Sequence, residues 1–227
     1  MFSKSQEVPR CMLAIAGKEY KDVRATGTDD KGDSLDANLG RLPLLETTAG
    51  GKIGQSAAIN FFVATECGML GSSSLEAAQI LAFIEHIKEL SAAYRTASPW
   101  GTEPVPEKMA EFFDDASATD YTGPAARGGK RAFLWFLGRM ELLVGADGFA
   151  VGGKLSLADV MLYGLLGDTL DATLHEDMPA WKREPLTDKA KVDAALVKHP
   201  KIAACVASVA QHPAIIAWMA KRGKQAF

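Results

Sequence analysis

Two short segments constrain this chain most: GRLPLLE (Gly40 to Glu46) and, after a seven-residue spacer, GQSAAINFF (Gly54 to Phe62). The first is an apolar run with a proline inside it. Proline cannot donate to a sheet ladder, so within a strand it is confined to an edge, to the first residue or to a bulge. The second sets a Gln-Ser pair directly before an apolar helical pattern. The first backbone N–H groups of a helix have no partner within it, and they favour an anion. One extended edge and one helix start therefore lie close together in the sequence, and they suit a small peptide-like molecule that carries a carboxylate.

Composition narrows the classes. With 227 residues the chain is one large domain or two smaller ones, long enough to bury a core. A net charge of −3 with both signs interspersed leaves no basic footprint for nucleic acid. No apolar run approaches the roughly 20 residues that span a bilayer, and the opening MFSKSQEVPR has no apolar core of a secretory signal. Cys11, Cys67 and Cys205 show neither metal-ligand spacing nor a CxxC pair, which argues for a reducing compartment. His86, His175, His199 and His212 show no ligand spacing either, so no metal is expected. The expectation is a cytoplasmic protein without membrane or nucleic-acid partners.

The text changes character near residue 70. Before it, the pattern predicts a helix over 8–16 stopped at Gly17, a strand over 19–25 from its alternation, a Gly/Asp-rich loop over 26–41, strands over 43–47 and 51–53, and a helix from Ser56 to about Thr65. Residues 68–74 read as a linker. Beyond it, Ser73 and Glu76 form a capping box for a helix over 74–95. A region broken by Pro and Gly holds one helix at 106–116, and another helix spans 129–144. Ser156 and Asp159 open SLADVMLYGLL, apolar nearly all round and so expected at the centre of a second domain. Pro200 and Pro213 open two more helices, at positions where a missing N–H costs nothing.

In this order and spacing, QEVPRCMLAIAGKEYKDVR, RLPLLE, QSAAINFF, DGFAVGGKLSLADVMLYGLL and HPAIIAWMAKR resemble the cytosolic glutathione S-transferase family, most closely its sigma-like, alpha/mu/pi-related classes. The resemblance runs from about Ser5 to Arg222. It implies a thioredoxin-like α/β domain over 1–70, truncated at its first strand, then an all-α domain over 75–227. It also implies a homodimer, with glutathione as co-substrate and a small electrophile as the second substrate.

The resemblance assigns roles residue by residue. A cis bond between Leu42 and Pro43 would turn the Leu42 main chain toward the cysteinyl part of glutathione, as an added strand; a trans proline on an edge strand is the plainer reading. Gln55 and Ser56 would hold the γ-glutamyl end, and Ser56 also reads simply as a helix cap. Arg41 would pair with the glycyl carboxylate, or stand exposed in a loop. Glu85 would reach the partner subunit's glutathione amine, in a stretch (FIEHIKEL) that also suits a solvated face. Tyr94 and Trp100 would line the second-substrate pocket, or serve as core and rim aromatics. Cys11 reads as a small core residue.

One element is out of place. Relatives activate the thiol with a hydroxyl at the end of a first strand. Counting back from Gly17, the sigma-like tyrosine would lie just before Met1, and the strand that carries it is expected there too. Ser3 stands at the spacing of the serine-type classes and is the candidate catalytic hydroxyl. The reading is a glutathione S-transferase that conjugates the thiol to electrophiles; the alternative is a non-catalytic module of the same fold that binds ligands or proteins.

Overall fold

Helix α6 (Leu157–Leu166) shows how the second half of the chain is organised. All of its residues except Met161 and Gly164 are buried, and it packs on α8 (Pro200–Ala210) and on α3 (Ser74–Ala97). A helix with no polar face can only be central. Around it, α3 contributes Ile80, Phe83, Ile84, Ile87 and Leu90, and α8 contributes Ile202, Cys205, Val206 and Val209. The structure, a computed structural model, describes residues 7–23, 33–114, 132–167, 186 and 188–222.

The chain divides into two compact units, one drawn from Met1–Leu70 with His212–Phe227 and one from Gly71–Gln211. In the second, α3 begins where Ser73 accepts from the Glu76 N–H at 3.2 Å. The short α4 (Pro106–Phe112) and α5 (Phe133–Leu143) share an aromatic cluster in which Phe112 stacks on Phe133 at 5.8 Å and Tyr94 meets Phe112 edge-on. α8 starts at Pro200, which has no N–H. The next two N–H groups, of Lys201 and Ile202, donate to the Glu141 carboxylate of α5 at 2.9 Å each.

Helix α7 (Lys189–Lys198) is absent from the sequence reading. It buries only Val192 and Ala195, too sparse a stripe to stand out, and Asp188 caps it by accepting from the Lys191 N–H. α4 stops at Phe112, earlier than the expected 116, and α5 opens at Phe133.

In the first unit α1 (Glu7–Ile15) packs against α2 (Ser56–Glu66) and α9 (Pro213–Arg222), burying Cys11, Met12, Ile59, Val63, Ala64 and Ile215. The closing helix thus joins the first unit, although it follows the helices of the second in the chain. Among the described residues the sheet is a single antiparallel pair, β1 (Leu44–Glu46) with β2 (Lys52–Gly54), in the register Leu44↔Gly54, Leu45↔Ile53, Glu46↔Lys52.

The strand expected over 19–25 is not formed over its described part, which ends at Val23. Alternation says where side chains point, but a strand also needs a ladder partner. Here Asp22 pairs with Arg10 at 2.8 Å and Tyr20 leans on Trp218 of α9, so α1 and α9 hold this segment through its side chains. The Gly/Asp-rich loop ends in a 3-10 turn, Asp33–Asn38, that leads directly into the proline segment.

Candidate functional site at the proline turn and the start of helix α2

The β1–β2 register sets Leu44 opposite Gly54, which leaves Pro43 and Gln55 as the next residue of each strand at the open end of the hairpin. The proline segment and the Gln-Ser helix start, separate in sequence, meet there. The Leu42–Pro43 peptide bond is cis. Leu42 and Pro43 are half-buried and Arg41 is exposed. Among the described residues nothing is hydrogen-bonded to the Leu42 N–H or C=O.

Gln55 precedes α2 with φ 66° and ψ 125°. A residue with a side chain and a positive φ is uncommon, and holding one there costs on the order of 1–3 kcal/mol; such outliers cluster at sites that grip ligands. The Gln55 side chain does not cap the helix and lies exposed, while its carbonyl accepts the Ile59 N–H at 3.0 Å and starts the helical ladder. The first turn of α2 carries no acidic residue, so the positive end of the helix dipole is not neutralised from within. Ser56 is half-buried as its first residue.

Asn38 belongs to this place, and the sequence reading passed over it. The side chain is almost fully buried, and its Nδ2 donates to the Arg41 carbonyl at 2.9 Å and to the Pro43 carbonyl at 2.8 Å. Gly54 makes room for it: a Cβ there would lie 2.5 Å from both Asn38 Cβ and Cγ. A glycine at the end of β2 was the available signal, since glycine inside a strand often marks a close approach.

Arg41, Leu42, Pro43, Gln55 and Ser56 all belong to the first unit. Glu85, Tyr94 and Trp100 belong to the second. Glu85 is exposed on α3 and paired with Lys88. Tyr94 is 2% exposed, among the aromatic residues of α3, α4 and α5. Trp100 is 49% exposed, with the Arg95 guanidinium 3.7 Å from its ring centre. Ser3 lies outside the described residues. No group of three or more His, Cys, Asp or Glu among the described residues could hold a metal ion.

The thiols are poor nucleophiles. Burial, helped by nearby Glu7, pushes Cys11 up to about 12, while Arg222 and Arg10 pull weakly the other way. Burial and then the Asp159 carboxylate raise Cys205. Cys67, half-buried, is also raised by desolvation. A thiol must be a thiolate to attack.

Residues 130–222 match the family described as glutathione S-transferase, C-terminal domain. The relatives the chain resembles are glutathione S-transferases and S-crystallins. It is 29% identical over 168 residues to the probable glutathione S-transferase 6 of Caenorhabditis elegans, covering 74% of this chain and 76% of that one. It is 24% identical over 221 residues to S-crystallin SL11 of the squid Nototodarus sloanii, covering 97% and 93%. Among solved structures, a monomeric glutathione S-transferase of the hookworm Necator americanus superposes with a TM-score of 0.69 over 98% of this chain and 94% of its own, at 23% identity. That fold therefore covers 98% of this chain, and among the described residues it carries a short two-stranded sheet and a helical second unit. No single helix among the described residues is long and apolar enough to cross a membrane.

Proposed function

We propose that this chain binds glutathione at the proline turn and transfers its thiol to small electrophiles. The observation that carries the reading is the Gln55 main chain, held at positive φ at the start of α2, directly after Gly54, whose ladder partner Leu44 directly follows the cis proline. In this reading the Ser56 hydroxyl and the first N–H groups of α2 donate to the γ-glutamyl carboxylate, with the helix dipole adding about 0.3–1 kcal/mol. The Leu42 N–H and C=O pair with the cysteinyl unit as an added strand. Arg41 neutralises the glycyl carboxylate. Glu85 meets the glutathione amine held by a second copy in a homodimer.

The chemical demand is on the thiol. Lowering a thiol pKa from about 8.5 by about 2 units takes roughly 2.7 kcal/mol of preferential thiolate stabilisation. Ser3 is the candidate donor to the sulfur. With a chloronitroaromatic acceptor, the thiolate attacks the ring carbon bearing chlorine, a C–S bond forms, chloride leaves, and the thiol proton passes to solvent. Conjugation of such an acceptor, followed with and without glutathione, tests the reading. A rate above the uncatalysed one is expected, and a rate no higher removes transferase activity.

A second reading has its own support, because a relative that spans nearly the whole chain is named a crystallin and not a transferase. In this reading the protein is a ligand- or protein-binding module of the same fold. Retention on immobilised glutathione without turnover identifies it.

A further inference from the structure

We propose that Asn38 is a positioning residue for the cysteinyl edge of glutathione: it anchors the carbonyls of Arg41 and Pro43 inward, so that the Leu42 N–H is aimed at the ligand. The inference deepens the glutathione reading and rests on it.

The geometry is specific. Asn38 is 4% exposed, and both Nδ2 bonds go to the two carbonyls that flank Leu42, at 2.9 Å and 2.8 Å. Its own carbonyl accepts the Arg41 N–H at 3.1 Å. The Arg41 C=O and the Leu42 N–H share one trans peptide plane and point in opposite directions. Drawing that carbonyl inward onto Asn38 therefore fixes the N–H outward. One buried amide thus sets the direction of a main-chain donor that it never touches.

The same side chain sets the other half of the site. It occupies the space that a Cβ on Gly54 would fill, at 2.5 Å. Gly54 pairs with Leu44 and directly precedes Gln55, so Asn38 is wedged between the strand edge and the approach to the α2 start. Only an amide satisfies this position. Aspartate has the shape but no N–H, and an aliphatic residue leaves two half-buried carbonyls without a donor.

The test uses the full chain, with reduced glutathione titrated calorimetrically and Tm measured for each variant. Asn38→Asp and Asn38→Ala are expected to raise the Kd for glutathione about tenfold or more, as the loss of two anchoring bonds implies. Gly54→Ala keeps the amide but displaces it, and should raise the Kd likewise. Val63→Ala, in the buried face of α2, is the control for mere loosening. It should lower Tm comparably while leaving the Kd within about twofold. Unchanged Kd in the three site variants, or a Kd that tracks Tm across all four proteins, overturns the role of Asn38 while glutathione binding stands. A wild-type chain that fails to bind glutathione overturns the ligand reading itself, and this proposal with it.

Discussion

Glu7 in the first unit and Asp159 in the second are both buried carboxylates, and the chain satisfies them with opposite kinds of partner. Glu7 is held by charge and by an indole: Arg222 Nη1 and Trp218 Nε1 of α9 donate to its Oε1 at 2.9 Å and 2.7 Å, and the Arg222 and Glu7 side chains are 2% and 6% exposed. Asp159 is held by neutral donors, among them the Ala150 N–H at 2.7 Å, the Ser156 N–H at 2.8 Å and the Ser156 hydroxyl at 2.7 Å. The first arrangement ties together helices from opposite ends of the chain. The second closes a loop of a few residues onto the start of its own helix. A buried ion pair contributes little net stability yet is costly to break, whereas a carboxylate satisfied by N–H groups loses its bonds one at a time.

The comparison is sharpest where one charge is removed. Arg222→Ala removes the 2.9 Å cation from Glu7, leaves Arg10 at 3.6 Å as its remaining cation, and should lower stability by about 3 kcal/mol in urea titration, the low end for breaking a buried pair. A loss below about 1 kcal/mol would mean that Glu7 does not depend on the pair.

Asp159→Asn keeps the shape but replaces one accepting oxygen with a donor, facing the Ser156 N–H. A loss of about 1–3 kcal/mol is expected. The Asp159 contribution also depends on pH. Burial, opposed by the Ser156 and Ala150 hydrogen bonds, raises the Asp159 pKa in the folded protein. The folded state therefore holds that proton more tightly than the unfolded chain, and the contribution is present at low pH and lost as pH rises through the folded value. The stability gap between wild type and Asp159→Asn should widen as pH falls from neutral toward about 4. A gap that narrows on acidification would contradict burial as the dominant cause.

Each carboxylate also has a buried thiol beside it. Cys11 senses Glu7 and Cys205 hydrogen-bonds Asp159, and both are held protonated. Thiol titration of the native protein at pH 8 should label Cys67 alone, with all three labelled in denaturant; rapid native labelling of a second thiol would break the parallel. With Cys11 and Tyr20 both raised to about 12, stability should fall above pH about 9, by up to about 1.4 kcal/mol per pH unit for each group that ionises only when unfolded.

The smallest effect concerns neither carboxylate. Leu39 stands at φ 54° and 80% exposed, beside the Asn38 anchor. Leu39→Asn suits that conformation better and should add about 0.5 kcal/mol, with glutathione affinity unchanged.

The same contrast explains what the sequence revealed. Asp159 was legible because its partner lies three residues away and the spacing of a capping box is a local pattern; Ser73 with Glu76 and the proline-opened helices were legible for the same reason. The proline segment and the Gln-Ser pair were visible as two features, and their meeting followed once the short hairpin between them was seen. Glu7 was not legible, because Arg222 is 215 residues away and nothing local marks a carboxylate as buried. Asn38 looked like an ordinary polar residue at the end of a loop. Segment 19–25 had the alternation of a strand, but over its described part its neighbours in space are helices α1 and α9. The positive φ of Gln55 could not be read either, since glycine is the residue that normally announces one.

Because α9 is synthesised after every other described helix and packs against α1, the unit that carries the proline turn cannot finish assembling while the ribosome still holds residues 213–222. The helices between 71 and 211 emerge in full before that moment. The unit begun first is therefore completed last, and a stop codon ahead of Pro213 would strike the proline turn although every residue of that turn is still made.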